Sequence, residues 1–179
     1  MSLASDSELA GAAKRGSDRA FEQLARRHSA ALRTFLRGVC RNQALADDIA
    51  QDALIRAWRR LDQLRDENAF RSWLFGIGWR LASEERRASG RRAKREEDWV
   101  ETQAQTLAEG LSAEESLALE AAMQTLSPDQ RACISLCLAQ GWSHGEAAVV
   151  LDMPVGTIKS HIKRGRAKLL AALGGEDER

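Results

Sequence analysis

Side chains able to hold phosphates gather in one short stretch near the C-terminus. Lys159, Lys163, Arg164, Arg166 and Lys168 stand between positions 159 and 168 with no acid among them. Thr157 and Ser160 add hydroxyls at the front of the same stretch. Long cationic side chains reach phosphate oxygens and base edges, and small hydroxyls suit phosphate contacts. A second basic block runs from Arg80 to Arg95, where Arg80, Arg86, Arg87, Arg91, Arg92, Lys94 and Arg95 face only Glu84 and Glu85. The aromatic residues Phe70, Trp73 and Trp79 lead into it. Rings beside cations suit unpaired bases, because bases stack on rings while cations hold the phosphates. A third set is acidic. Asp48 and Asp52 are four apart and Gln51 is three from Asp48, so on a helix all three share one face.

These blocks matter because the whole chain hides them. It has 179 residues and a formal net charge of +1, which by itself argues against a nucleic-acid binder. The near-neutral sum conceals segments of one sign, since Glu96 to Glu120 carries eight acids and no Lys or Arg. Blocks of one sign create local fields that the sum conceals. The three cysteines, Cys40, Cys133 and Cys137, form no CxxC pair, and their odd number fits a reducing compartment. Cys133 and Cys137 lie four apart with His144 nearby in sequence, but a metal site needs about four placed ligands, so packing is the better reading. No P-loop, nucleophile elbow or catalytic constellation is present, so no enzyme activity, cofactor or metal is expected. No apolar run is long enough to span a bilayer and no signal-peptide pattern opens the chain, so a cytoplasmic protein is expected.

The elements that must position these residues are helices. Ser5 and Glu8 have capping-box spacing, and a short helix from there ends near Gly16. Ser17 and Asp18 can cap a second helix, on which Phe21, Leu24, Ala25, Leu32, Phe35, Leu36 and Val39 make one apolar face. Leu45, Ile49, Ala53, Ala57 and Leu61 recur every fourth residue on a third. Asp47 and Asp48 fall in its first turns, where negative charge meets the positive end of the dipole. After a polar stretch at 62–68, Phe70, Trp73, Leu74, Ile77 and Leu81 begin a fourth helix that continues into the arginines. Trp79 falls off its main apolar stripe and is the better candidate for exposure, whereas Trp73 reads as core. His28 lies on the apolar side of its helix and reads as a core or boundary residue. Segment 94–113 has little periodicity and reads as a flexible acidic linker. Helical pattern resumes before Leu126. Ser127-Pro128-Asp129-Gln130 then sets an N-cap, a proline at the first helical position and a capping glutamine. Ser143 and Glu146 repeat the capping-box spacing, Pro154 separates the last two helices, and Gly174 can end the last one. Two short helices with a tight turn, the second basic, make a helix-turn-helix pattern whose second helix can enter a DNA major groove.

The segment from Gly141 to Leu169 also resembles region 4 of RNA polymerase sigma factors of the extracytoplasmic-function group. That family shows a Glu-Ile-Ala first helix, then Pro-x-Gly-Thr-Val-Lys-Ser-Arg, and this chain has Glu146-Ala147-Ala148 and Pro154-Val155-Gly156-Thr157-Ile158-Lys159-Ser160-His161. Leu126 to Arg131 is similar to the Leu-Pro-x-x-x-Arg that precedes it. Ala46 to Trp58 resembles region 2.2, with Asp48, Gln51 and Asp52 at the positions that dock on the polymerase β′ coiled coil. Phe70 to Leu81 resembles regions 2.3 and 2.4. The resemblance implies an all-α protein with two small helical domains, a region 2 domain over 1–93 and a region 4 domain over 114–179, on the linker at 94–113. It implies binding of core polymerase through its β′ coiled coil and β flap, and of promoter DNA. The loop Asp62, Gln63, Leu64, Arg65, Asp66, Glu67 and Asn68 corresponds to the one that accepts a flipped −10 base. Trp79, Arg80, Arg86, Arg87, Arg91 and Arg92 would join it at the −10 element. Thr157, Lys159, Ser160, His161, Lys163, Arg164 and Arg166 would engage the −35 element. An anti-sigma factor is the usual regulatory partner. Three departures stand out: His161 where Arg is common, Arg80 where Asn is typical, and Gly165 where Ala is common, the last costing the helix up to ~1 kcal/mol. Gly76 and Gly78 loosen the fourth helix.

Three rival readings follow from the same residues. A sigma mimic that sequesters an anti-sigma factor without touching DNA should lose the basic residues of the last helix, and this chain keeps them. An ordinary helix-turn-helix repressor needs a dimerisation or ligand-binding element, and none is evident. A helical enzyme needs an active site.

Overall fold

A computed structural model describes residues 4–40, 42–93 and 112–174, and all regular structure among them is helical. The helices are α1 (Asp6–Lys14), α2 (Asp18–Val39), α3 (Gln43–Arg59), α4 (Phe70–Ala93), α5 (Ala113–Gln124), α6 (Pro128–Ile134), α7 (His144–Leu151) and α8 (Val155–Ala172). Their starts are written in side chains. Ser5, Ser112, Ser127 and Ser143 each close a capping box with Glu8, Glu115, Gln130 and Glu146, and each satisfies backbone donors that a helix start leaves unpaired. Ser17 and Asn42 cap α2 and α3 by single bonds to Ala20 N and Leu45 N. The expected linker, 94–113, lies outside the described residues except at its end, where Ser112 caps α5 and Ala113 opens it.

Helices α1–α4 make the first unit. The apolar face of α2 buries Leu24, Leu32, Phe35 and Leu36 completely, and α3 lays Ala46, Ala50, Ala53 and Ala57 against it. Small alanines on α3 let the two helices approach, and each fully buried Leu or Phe stabilises the unit by roughly 1.5–3 kcal/mol. His28 is buried, and its Nε2 lies 2.6 Å from Asp6 Oδ2, which ties α2 to the first turn of α1. Asp47 sits in the second turn of α3 and pairs with Arg37 of α2 through both carboxylate oxygens, at 2.9 and 3.0 Å. That contact replaces the dipole role expected of Asp47.

Helices α5–α8 make the second unit. α6 does not stop at Ile134 but widens into a π-helical turn, Ser135–Ala139. Gly141, at φ 68°, then ends it with the Trp142 N–H bonded back to Leu136 O, a left-handed glycine stop whose closing bond is one residue wider than that of a Schellman motif. The turn between α7 and α8 passes through Asp152 in the left-handed region, φ 53° and ψ 50°, a conformation Asp tolerates better than most residues. Gly165 has a structural reason. A Cβ there would stand 3.2 Å from Ile134 Cγ1, so the glycine lets α8 lie close on α6.

One continuous apolar cluster joins both units. Leu74, Phe75 and Trp79 of α4 belong to the same cluster as Cys133, Leu136, Trp142, Ala147 and Val150. α7 packs on α4, and α6 packs on α2. Gly76 and Gly78, expected to loosen α4, are instead close-approach positions: Gly78 admits Leu32 of α2 and Gly76 faces Val150 O of α7.

Candidate functional site

The acidic set falls on the outer face of α3. Asp48, Gln51 and Asp52 are all exposed. The helix continues that stripe with two large apolar residues, Ile55 and Trp58, each 40% exposed. The Trp58 ring leans on Phe21 with centroids 4.8 Å apart, and a shallow apolar groove opens between α2 and α3 over Phe21, Ala25, Leu54, Ile55 and Trp58. Sequence reasoning passed over Ile55 and Trp58. The signal was present, because both fall off the every-fourth-residue stripe of Ile49, Ala53 and Ala57 that forms the buried side of α3.

The loop after α3 is a built structure. Two short 3₁₀ turns, Leu61–Gln63 and Glu67–Ala69, frame it. The Lys14 ammonium clasps it from α1, donating to Leu64 O at 2.9 Å and to Glu67 Oε1 at 2.8 Å. That bond holds the Glu67 carboxyl below its ordinary pKa. Asp66 Oδ1 accepts from Asn68 N and Nδ2, both at 3.0 Å. Asp62, Gln63, Arg65, Asp66 and Asn68 are exposed and Glu67 half-buried, with a small cleft between loop and α1 lined by Glu8, Arg15, Glu67 and Asn68. Leu64 is different. It is 2% exposed and anchors the loop in the core, so it leaves the set of residues presented outward.

On α4, Arg80, Arg86, Arg87 and Arg91 are exposed, and Arg92 lies on the same helix. Trp79 overturns the expected exposure. It is buried at 6%, with the Arg86 guanidinium 5.6 Å from its ring, while Trp73 is the half-buried one, packed against Phe70. The physical reason is that α7 covers the side of α4 that a single-unit reading leaves open.

On α8, Thr157, Lys159, Ser160, Lys163, Arg164 and Arg166 are exposed along one side, and Ile158 and Gly165 are buried on the other. Ser160 Oγ donates to Gly156 O at 3.0 Å, which leaves its lone pairs facing outward. His161 departs from expectation. It is half-buried and its Nδ1 is enclosed, so it belongs to the packed side of the helix and not to the cationic ridge.

The remaining reactive groups are quiet. Burial pushes the Cys40 thiol up to about 11 and the Cys133 thiol up to about 12, so both stay protonated near neutral pH. Among the described residues no His, Cys, Asp or Glu cluster could hold a metal ion. No helix among them is long and apolar enough to cross a membrane.

An exposed acidic stripe, a loop beside an arginine-rich helix, and a cationic helix-turn-helix occur here in the order of the sequence blocks, with Ile55 and Trp58 added to the first. Comparison with known proteins agrees. Residues 24–92 match the family model for sigma-70 region 2, and residues 116–169 match that for sigma-70 region 4. The chain is 34% identical over 171 residues to the ECF RNA polymerase sigma factor SigM of Mycobacterium tuberculosis, covering 95% of this chain and 85% of that one. The structure resembles that of the sigma factor RpoE in complex with the anti-sigma factor NepR from Bartonella quintana. There the TM-score is 0.79 at 27% identity, over 88% of this chain and 98% of that one. It also resembles CnrH in complex with the cytosolic domain of CnrY, with a TM-score of 0.73 at 32% identity, over 96% and 99% of the two chains. The chain belongs to the extracytoplasmic-function group of sigma-70 RNA polymerase sigma factors.

Proposed function

We propose that the chain divides the work of a sigma factor, which binds core RNA polymerase and directs promoter-specific initiation, among three surfaces. The α3 stripe is the polymerase dock. Asp48 and Asp52 supply charge, and Gln51 a hydrogen-bonding amide, for a basic partner helix, the β′ coiled coil, and Ile55 and Trp58 supply the desolvated contact that charge alone rarely gives. The second unit, 114–179, would take the β flap. The loop 62–68 and the arginines of α4 serve the −10 element. Asp66, Glu67 and Asn68 offer base-edge partners beside the cleft, while Arg80, Arg86, Arg87 and Arg91 hold phosphates. The cationic side of α8 serves the −35 element through Thr157, Lys159, Ser160, Lys163, Arg164 and Arg166. Leu64, Trp79 and His161 act as packing residues in this scheme. An anti-sigma partner follows from the family, since the RpoE and CnrH structures each hold one.

The observation that carries the reading is the exposed basic ridge of α8. A mimic that only sequesters an anti-sigma factor has no use for it. Run-off transcription with core polymerase tests the scheme. Wild type initiates at defined promoters, Asp48→Arg loses polymerase binding, and Lys163→Glu/Arg164→Glu keeps polymerase binding but loses −35-dependent initiation. A wild-type chain that binds a partner protein yet never supports initiation on a genomic template library would restore the mimic reading.

A further inference from the structure

We propose that Ser89 of α4 is a phosphorylation site: an arginine-directed serine kinase transfers the γ-phosphoryl group of ATP to its hydroxyl, and the phosphate weakens the hold of the α4 arginines on the −10 element. The site stands on its own geometry, and its consequence rests on the sigma reading above.

Arg-Arg-x-Ser occurs twice in the chain, as Arg26-Arg27-His28-Ser29 and as Arg86-Arg87-Ala88-Ser89. Two arginines just before an acceptor suit a kinase whose substrate groove is lined with carboxylates. Such a groove takes its substrate segment extended, so the acceptor's helix must open first. The fold treats the two serines oppositely. Ser29 is half-buried in the middle of α2, between the fully buried Leu24 and Leu32. Its neighbours are tied down, His28 to Asp6 and Arg27 to Asp6 and to Ala4 O. Presenting Ser29 would unpack the first unit. Ser89 is exposed in the last turns of α4, and from Glu84 to Arg91 no residue is buried. Gly90 beside it has nothing within 4 Å of its would-be Cβ and costs the helix about 1 kcal/mol. Opening this end breaks helical turns but no core, and such ends open at little cost. Lys14-Arg15-Gly16-Ser17 is a looser version of the pattern, and there Ser17 Oγ is engaged as the N-cap of α2 by Ala20 N.

The transfer is a single displacement. Ser89 Oγ bonds to the γ-phosphorus, the bond from that phosphorus to the bridging oxygen of ADP breaks, the hydroxyl proton passes to the kinase's carboxylate base, and ADP leaves. The product carries about two negative charges at neutral pH. In the unmodified chain Ser89 Oγ donates to Glu85 Oε1 at 3.0 Å. The phosphate ester has no such proton, and it repels Glu85. Arg86, exposed and three residues back on the same face, is placed to pair with it. That pairing takes Arg86 from the promoter. The added charge also offsets about half of what Arg80, Arg86, Arg87 and Arg91 together present to DNA phosphates. The phosphate stands near the negative end of the α4 dipole as well, which loosens the last turns that carry Arg91.

The full folded chain, incubated with a purified arginine-directed serine kinase and ATP and mapped by mass spectrometry, tests the site. Synthetic peptides spanning 84–93 and 24–33 serve as unfolded references. Both peptides should take phosphate, whereas the folded chain should take it at Ser89 and not at Ser29, and Ser89→Ala should take none. Phosphate at Ser29 or Ser17 of the folded chain in place of Ser89, or none at all, overturns the site. The phosphorylated chain is then assembled with core polymerase. It should bind core as the unmodified chain does, yet initiate roughly tenfold less in run-off transcription, and recover on phosphatase treatment. Ser89→Ala should initiate like wild type with or without the kinase. Equal initiation by the modified and unmodified chains overturns the switch and leaves the site standing. Lost core binding by the modified chain moves the effect away from the −10 element and overturns the switch as described. An unmodified chain that never initiates overturns the sigma reading, and with it the switch, while phosphate found on Ser89 still stands.

Discussion

Helices α4 and α8 are both long, both rich in cations and both interrupted by glycine, yet they present themselves to the reader of a sequence very differently. α8 has one buried side, marked by Ile158 and Gly165, and everything opposite it is exposed. Its periodicity therefore separates the cationic ridge from the packed side. α4 has no such asymmetry in its first half. Residues 74–79 are all buried, because α2 and α3 pack on one side and α7 on the other. A helix enclosed all round has no polar face to find, so a residue off the main stripe is not thereby exposed. Trp79 is the case in point.

That contrast can be broken most sharply at Trp79. Trp79→Ala should destabilise the chain by about 3–5 kcal/mol, the range for emptying a buried aromatic site. By contrast, Lys163→Glu/Arg164→Glu, on the exposed side of α8, should stay within about 0.5 kcal/mol of wild type. Urea denaturation followed by circular dichroism measures both. Equal, small effects at the two sites would return Trp79 to the surface.

The glycines sharpen the comparison at a smaller scale. Gly90, near the exposed end of α4, has nothing within 4 Å of its would-be Cβ, so Gly90→Ala should gain up to about 1 kcal/mol from helix propensity. Gly165→Ala should gain less or lose, because the new methyl meets Ile134 at 3.2 Å. The ordering of the two denaturation midpoints is the test, and a larger gain at Gly165 would mean α8 is not held close on α6.

The smallest effect concerns acid. Burial is the largest influence on His28 and lowers its pKa, opposed by Asp6 and helped by Arg71 and Arg27. The folded chain then binds fewer protons than the unfolded one between the ordinary histidine value and the lowered one. Stability from this site is full above about pH 6.5, falls as pH drops toward the lowered value, and is flat below it. Thermal melts at pH 7.5 and 5.5 should show a modest drop for wild type, reduced in His28→Gln. Because His28 packs under the first turn of α4, 5.8 Å from Phe70, the loss belongs to the first unit and not to the helix-turn-helix.

Much of the fold was legible in local chemistry. Ser5, Ser17, Ser127 and Ser143 announce helix starts because their hydroxyls satisfy donors within three residues, an interaction that needs no knowledge of the rest of the chain. The exposed stripe of Asp48, Gln51 and Asp52 was legible for the same reason, being set by one helix and its own buried side. What was not legible depends on contacts between distant segments. Leu64 looked like part of a polar loop, but Lys14, fifty residues away, pins its carbonyl and turns its side chain inward. His161 sits among cations in sequence, and only the packing of α8 draws it in. Gly165 read as a weakness of its helix until Ile134 was placed against it.

The π-helical turn at Ser135–Ala139 has a consequence of another kind, for how this chain tolerates changes in length. A π-helical turn holds one residue more than the α-helix around it would. Removing that residue would let the turn tighten back to an α-helix. Five residues in the wider turn and four in an α-helix sweep nearly the same angle, roughly 400°, so the segment downstream would keep its direction. Gln140 and Trp142, which follow within a few residues, would stay aimed at Ala31 and Arg71. The widened turn thus works as slack, and among chains of this shape the gain or loss of one residue there can be absorbed without swinging the second unit's aim.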